Sequence, residues 1–220
     1  MRGLRGSTAL RMGLMAVLLM AGMLVAAPPL HAVSFNLISD HCTDGCGLPG
    51  TIFGVVTVLQ NGANVDFTVH LNAGYAFAKT GAVDMQAFKF NGTGVALGDI
   101  TVDPHLPPLV AATGAFNGDG TGPFTFGINC PSCGGGLSDA FTTDILFHVA
   151  NATIADVTAP NSLGNVFVAD VGVTAAGQFN GRTGPIDAVG PTTVPEPLTV
   201  TLLGLGLFGI GAAMRRRKNR

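Results

Sequence analysis

Two adjoining stretches show the clearest hydrophobic pattern in the chain. Residues Thr51 to Gln60 are β-branched and apolar. Val65 to Leu71 alternates, with Val65, Phe67, Val69 and Leu71 on one face and Asp66, Thr68 and His70 on the other. The intervening Asn-Gly-Ala-Asn supplies turn residues, so the two runs predict a β-hairpin. Further strand-like runs are Ala87 to Phe90, Val95 to Val102, Phe124 to Ile128, Asp144 to Val149 and Val166 to Val173, separated by Gly, Asn, Asp and Pro clusters. Asp103 to Leu109 (DPHLPPL) suits neither a helix nor a central strand and predicts a crossing loop. The expected fold class is all-β, a β-sandwich-like domain over residues 33–190.

Composition strengthens that reading. Gly, Ala, Thr and Val dominate, while the long charged residues that clothe surface helices are scarce. The formal net charge of −2 hides a partition. Arg2, Arg5 and Arg11 lie at one end, and Arg215, Arg216, Arg217, Lys218 and Arg220 at the other. Between residues 33 and 197 only Lys79, Lys89 and Arg182 are fully charged, against all 13 acids, which leaves −10. A body this acidic repels nucleic acid, so no nucleic-acid partner is expected. Most of its aspartates neighbour Gly, Asn or Thr, where they favour turns.

The two ends read as targeting segments. Three arginines, an apolar run from Met12 to Ala27 and a small-residue exit make residues 1–32 a secretory signal peptide, with cleavage expected after Ala32. Near the other end, residues 198–214 carry no charge and span roughly 25 Å as a helix, the short end of what crosses a bilayer core. Their four glycines, Gly204, Gly206, Gly209 and Gly211, suit a membrane helix, either as a close-packing face or in a span with no partner. The basic cluster of residues 215–220, led by Arg215, Arg216, Arg217 and Lys218, holds its side in the cytoplasm and leaves everything before the span outside. Pro195 and Pro197 fix extended geometry around Glu196, the only glutamate of the chain. Extended backbone of this kind suits a processing enzyme's cleft.

The order Pro195-Glu196-Pro197, short glycine-rich span, arginine cluster resembles the PEP-CTERM sorting signal of Gram-negative bacteria. Over residues 191–220 the resemblance implies recognition by an exosortase, a membrane-embedded cysteine transpeptidase-like enzyme, and removal of the tail. It also implies an exported cell-surface or extracellular-matrix protein, of a kind found in bacteria that make exopolysaccharide, and only a transient stay in the membrane. Residues 77–91, 126–136 and 166–172 resemble segments of uncharacterised members, and that similarity carries no known activity.

Chemical constellations are few. Cys42, Cys46, Cys130 and Cys133 allow three disulfide pairings, and an oxidising compartment makes a disulfide framework the default. Local pairs, Cys42 with Cys46 and Cys130 with Cys133, are favoured over a four-cysteine zinc site and over a redox pair at Cys130-Pro-Ser-Cys133. His41, His70, His105 and His148 show no metal-ligand spacing. No nucleophile elbow is present, and no catalytic residue, cofactor or metal is expected. Phe116 to Gly122 (FNGDGTG) lacks the alternating ligands of a calcium loop and predicts a β-turn. With no Trp and a single Tyr, a lectin that stacks sugars is disfavoured. The leading expectation is a non-enzymatic exported protein. The alternatives are a calcium- or glycan-binding adhesin of the exopolysaccharide matrix and, without positive residue evidence, a secreted hydrolase.

Overall fold

The computed structural model describes residues 31–80 and 86–191. The expected signal peptide (1–30 of its 32 residues), the sorting tail from residue 192 onward and the membrane helix 198–214 lie outside the described residues. Among the described residues no helix is long and apolar enough to cross a membrane.

Strand β3 (Gly54–Asn61) and strand β4 (Asn64–Leu71) form the expected hairpin, closed by Gly62 and Ala63. Gly62 has φ +62°, a left-handed conformation that glycine adopts at little cost. Val65, Phe67, Val69 and Leu71 are buried, as the alternation requires. This hairpin nucleates a five-stranded antiparallel sheet. β1 (Ala32–Leu37) pairs with β3, β11 (Ile145–Val149) pairs with β4, and β7 (Ile100–Val102) closes the far edge.

The second sheet is organised around β12 (Phe167–Val173). Along one side of β12 runs β13 (Thr183–Ala188), followed by the two-residue β2 (Ser39–Asp40). On the other side β12 is shared end to end. β6 (Gln86–Phe90) pairs with residues 167–169, and β5 (Tyr75–Lys79) pairs with 171–173. Each then starts its own branch: β9 (Gly122–Asn129) and β8 (Val110–Gly118) lie beyond β6, and β10 (Gly136–Phe141) lies beyond β5. The two sheets pack face to face, so the described body is an all-β sandwich. Residues 103–109 cross from the first sheet to the second, as the proline pattern predicts.

Phenylalanines make the seam between the sheets. Phe67 and Phe147 of the first sheet stack at 4.3 Å between ring centroids. Phe90 of the second sheet stands 5.3 Å from Phe147, Phe167 stands 5.9 Å from Phe67, and Phe35 meets Phe167 edge-on at 4.8 Å. Such pairs contribute about 0.5–1.5 kcal/mol each beyond their buried area.

The structure differs from the sequence pattern at several places: β1, β2 and β5 are strands that no expected run covered. Val95 to Val102 is strand only from Ile100, because Asp99 accepts the Ala96 N–H at 2.8 Å and bends residues 97–99 into a 3₁₀ turn. β8, β10 and β13 arise where Gly, Ala and Ser dilute any apolar run. Not all aspartates sit in turns: Asp170 and Asp187 are buried inside β12 and β13.

Their burial reflects a second, smaller packing layer. Every residue of β12 is buried, on both faces. The tip of the β8–β9 hairpin folds across the outer face of the second sheet. A Cβ at Gly118 would lie 3.5 Å from Val168 Cγ1 and 3.6 Å from Pro185 Cβ. Asn161 and Asn165 hold the tip in place, each donating from Nδ2 to the Thr121 carbonyl, at 2.6 and 2.8 Å.

Replacing Phe147 by alanine should cost about 3–5 kcal/mol, read as a shift in the urea midpoint with an unchanged slope. A Gly54→Val variant should be comparably damaging, because even a Cβ there would sit 2.3 Å from the His70 carbonyl oxygen.

Candidate functional site

The chain enters and leaves the sandwich at one pole. Leu59 of β3 pairs with Ala32 at the start of β1, and Ala188 at the end of β13 pairs with Phe167. His31 and Val33 on the entering side and Val189 and Pro191 on the leaving side line one groove of about 580 Å³, together with Ile154 and Pro160. Ala32, the expected last residue of the signal peptide, is exposed and is the first residue of β1, so cleavage after it would leave Val33 to open the strand. Pro195, Glu196, Pro197, Arg215, Arg216, Arg217 and Lys218 lie beyond the described residues, on the chain that continues from Pro191.

The cysteines form the two local disulfides, Cys42–Cys46 and Cys130–Cys133. With their sulfurs bonded to each other, they cannot serve as the thiolate ligands of a four-cysteine zinc site. The first loop sits at the end of β13 away from the exit groove. There a Cβ on Gly184 would meet Cys42 Cα at 2.5 Å. Asp40 folds this loop by accepting the backbone N–H groups of Cys42 (2.9 Å), Cys46 (2.6 Å) and Gly47 (3.2 Å). The Arg182 guanidinium caps it from outside, donating to the carbonyls of Asp44 and Gly45. Asp40, Cys42 and Cys46 cluster as metal ligands would, yet two are spent in a disulfide and the third is held by backbone donors. The second loop has a different task. It carries the chain from β9 in one branch of the second sheet to β10 in the other, with Gly136 opposite Lys79. No glycine-free helix follows Cys133 to activate a thiol; Gly134, Gly135 and Gly136 follow instead.

The histidines are less scattered than their spacing suggests. On the outer face of the first sheet, His148 of β11 lies between two carboxylates, Asp66 of β4 facing Nδ1 and Asp103 facing Nε2, each at 2.8 Å. His70 pairs with Asp144 at 2.7 Å. His105 receives the Thr143 hydroxyl region at Nε2 (2.7 Å), while its Nδ1 faces the Pro107 carbonyl at 2.8 Å. Registers such as His148 opposite Asp66 appear only once the strands pair, and no linear motif announces them.

Ser39, His41 and Asp187 also converge, which bears on the hydrolase alternative. His41 Nε2 lies 2.8 Å from Asp187 Oδ2 and 3.1 Å from Ser39 Oγ. A nucleophile relay needs the carboxylate on one ring nitrogen and the hydroxyl on the other. Here both oxygens meet the same nitrogen, so the set pins β2 to β13 and has no relay geometry. Phe116 to Gly122 forms the tight β8–β9 turn, closed by the Thr121 N–H on the Gly118 carbonyl at 2.9 Å.

Residues 193–218 match the family described as the PEP-CTERM protein-sorting motif. No curated protein and no solved structure matches the chain. The motif lies in the continuation of the chain that leaves at the exit groove. It marks a protein sorted through its C-terminal tail and exported to the cell surface or extracellular space.

The hydrogen bond to Asp66 raises the His148 pKa above the usual histidine value; the charge of Asp103 adds to this, and partial burial opposes it. A raised folded-state pKa gives stability that is fully present below pH ~6.5 and lost as pH rises through the raised value. With 44 % of the imidazole exposed, the contribution stays within about 1 kcal/mol. The melting temperature should therefore fall as pH rises from ~6 to ~8, and a His148→Asn variant should flatten that slope. Exchanging Cys130 and Cys133 for serine should cost about 2 kcal/mol by chain entropy, read by thermal melting, because the loop closed is so short.

Proposed function

We propose that the chain is a non-enzymatic protein of the cell surface or extracellular matrix, anchored in the membrane by its C-terminal span until an exosortase recognises Pro195-Glu196-Pro197 and removes the tail. The match of residues 193–218 to the sorting motif carries this reading. Physical features of the chain support it. The two prolines keep the strip around Glu196 extended, the form a protease-like cleft accepts as an added strand. The arginine cluster resists translocation and so fixes which side of the membrane the strip faces.

The sandwich contributes geometry. Residues 192–197 span at most about 20 Å, so the exit groove of an anchored chain stays close to the membrane surface. The Cys42–Cys46 loop, at the opposite end of β13, then faces away from it. The body holds its polar clusters in internal pairings: carboxylate with imidazole, carboxylate with backbone N–H, and asparagine with carbonyl. Such groups stiffen a scaffold. This favours a structural or display role for the body over turnover of a substrate.

Replacing Glu196 by alanine, or Pro195 and Pro197 together, should leave a full-length product in the membrane fraction. The wild-type chain should appear outside the cell, shortened at its C-terminus. Intact mass of both fractions, in cells with and without the sorting enzyme, reads the outcome. Equal release of the double proline variant would remove the extended strip from the recognition step, and equal processing without the enzyme would remove the exosortase.

A further inference from the structure

Lys89 of β6 and Asp170 of β12 are both 0 % exposed, and Lys89 Nζ donates to Asp170 Oδ2 at 2.9 Å. Nζ also reaches the Gln86 carbonyl at 3.4 Å. The pair lies on the outer face of the second sheet; opposite Lys89, a Cβ on Gly127 of β9 would lie 3.3 Å from Phe116 of β8. Lys89 sits opposite Val168, so Asp170 lies diagonal to it, two positions further along β12 on the same face. A fully buried ion pair is a poor stabiliser, because the loss of hydration of two charges exceeds much of their attraction. Sorting and display do not use it. Full burial is, however, what favours a condensation between these two groups.

We propose that Lys89 and Asp170 are the partners of an intramolecular amide cross-link between β6 and β12. Along the existing hydrogen bond, one proton passes from Nζ to the carboxylate, giving an amine and a carboxylic acid with no change in net charge. Dry surroundings disfavour charge separation and so lower the cost of that transfer. The amine lone pair then attacks the carboxyl carbon of Asp170. A nitrogen 2.9 Å from a carboxyl oxygen stands near the ~3–3.5 Å separation of a positioned nucleophile. The C–N bond forms, the C–O bond breaks, and the oxygen leaves as water with a second proton from nitrogen. One ammonium and one carboxylate become one amide and one water, so no oxidant, reductant or co-reactant is needed. The product removes both buried charges and ties together two interior strands whose linked residues are 81 positions apart. A covalent tie across so long a loop restricts the unfolded chain far more than either disulfide does.

The scarcity of basic residues gives a direct test. Between Lys79 and Arg182 the only site for trypsin is Lys89. Trypsin does not cleave after a lysine whose amine is in an amide. Mature protein recovered from outside the cell should be reduced, denatured, digested and weighed. The expected product is a single fragment of residues 80–182, lighter than its sequence by one water. A Lys89→Met variant should give the same fragment at full sequence mass. An Asp170→Ala variant should be cut after Lys89 into two, whether or not it folds. An Asp170→Asn variant should form the same link with the amide nitrogen leaving as ammonium, which carries off the proton the carboxylate would have taken, and match the wild-type fragment in mass. Separate fragments 80–89 and 90–182 from the wild-type protein, at their sequence masses, would overturn the proposal. So would a light single fragment from Asp170→Ala.

Discussion

The dry contact of phenylalanine rings between the two sheets is the constraint from which the rest of the body follows. Phe67 and Phe147 come from neighbouring strands of one sheet, and Phe88, Phe90 and Phe167 from neighbouring strands of the other. Flat rings meeting both stacked and edge-on fill the seam without leaving room for water. This fixes the faces of β4, β6, β11 and β12, since a shift of one residue would turn every ring outward. The chain has no tryptophan, and phenylalanines dominate the largest fully buried side chains of the described residues. The ring contacts are also the reason the outer faces are free to hold polar pairs.

The two outer faces use that freedom differently. On the first sheet, His148 and its two aspartates are partly open to solvent, where their mutual attraction is screened and modest. On the second, the β8–β9 hairpin closes over the surface, and the same class of interaction is removed from water altogether. One arrangement has a raised histidine pKa and the other is fully buried. The tip of the β8–β9 hairpin, over the second sheet, is tied down by two asparagine side chains.

Much of the body was legible from periodicity. The alternation of Val65, Phe67, Val69 and Leu71 against Asp66, Thr68 and His70 placed a strand and its buried face correctly, and the prolines of residues 103–109 placed the sheet crossing. The sequence left three disulfide pairings open and favoured the local one, which the structure shows. What stayed hidden depends on partners remote in sequence. β8 and β13 hold little apolar signal and become strands because β9 and β12 offer them hydrogen bonds. Asp170 beside Val171 and Gly172 looks like any aspartate near a glycine, and only the register with β6 brings it to Lys89. The histidine pairings are hidden for the same reason. The sorting motif needs no folding to be read, because its information lies in linear order.

The two disulfides, closed within four and three positions, shape how the chain can mature during export. A polypeptide threaded outward from its N-terminus presents Cys42 and Cys46 together, long before Cys130 arrives. Each bond needs only the few residues already outside, so for a chain emerging in this order the first pair can leave the thiol pool before the second appears. Of the three pairings open to four cysteines, such an order of emergence favours the local one. Oxidation can therefore precede folding without trapping a wrong connection, and the sandwich can assemble around loops already locked.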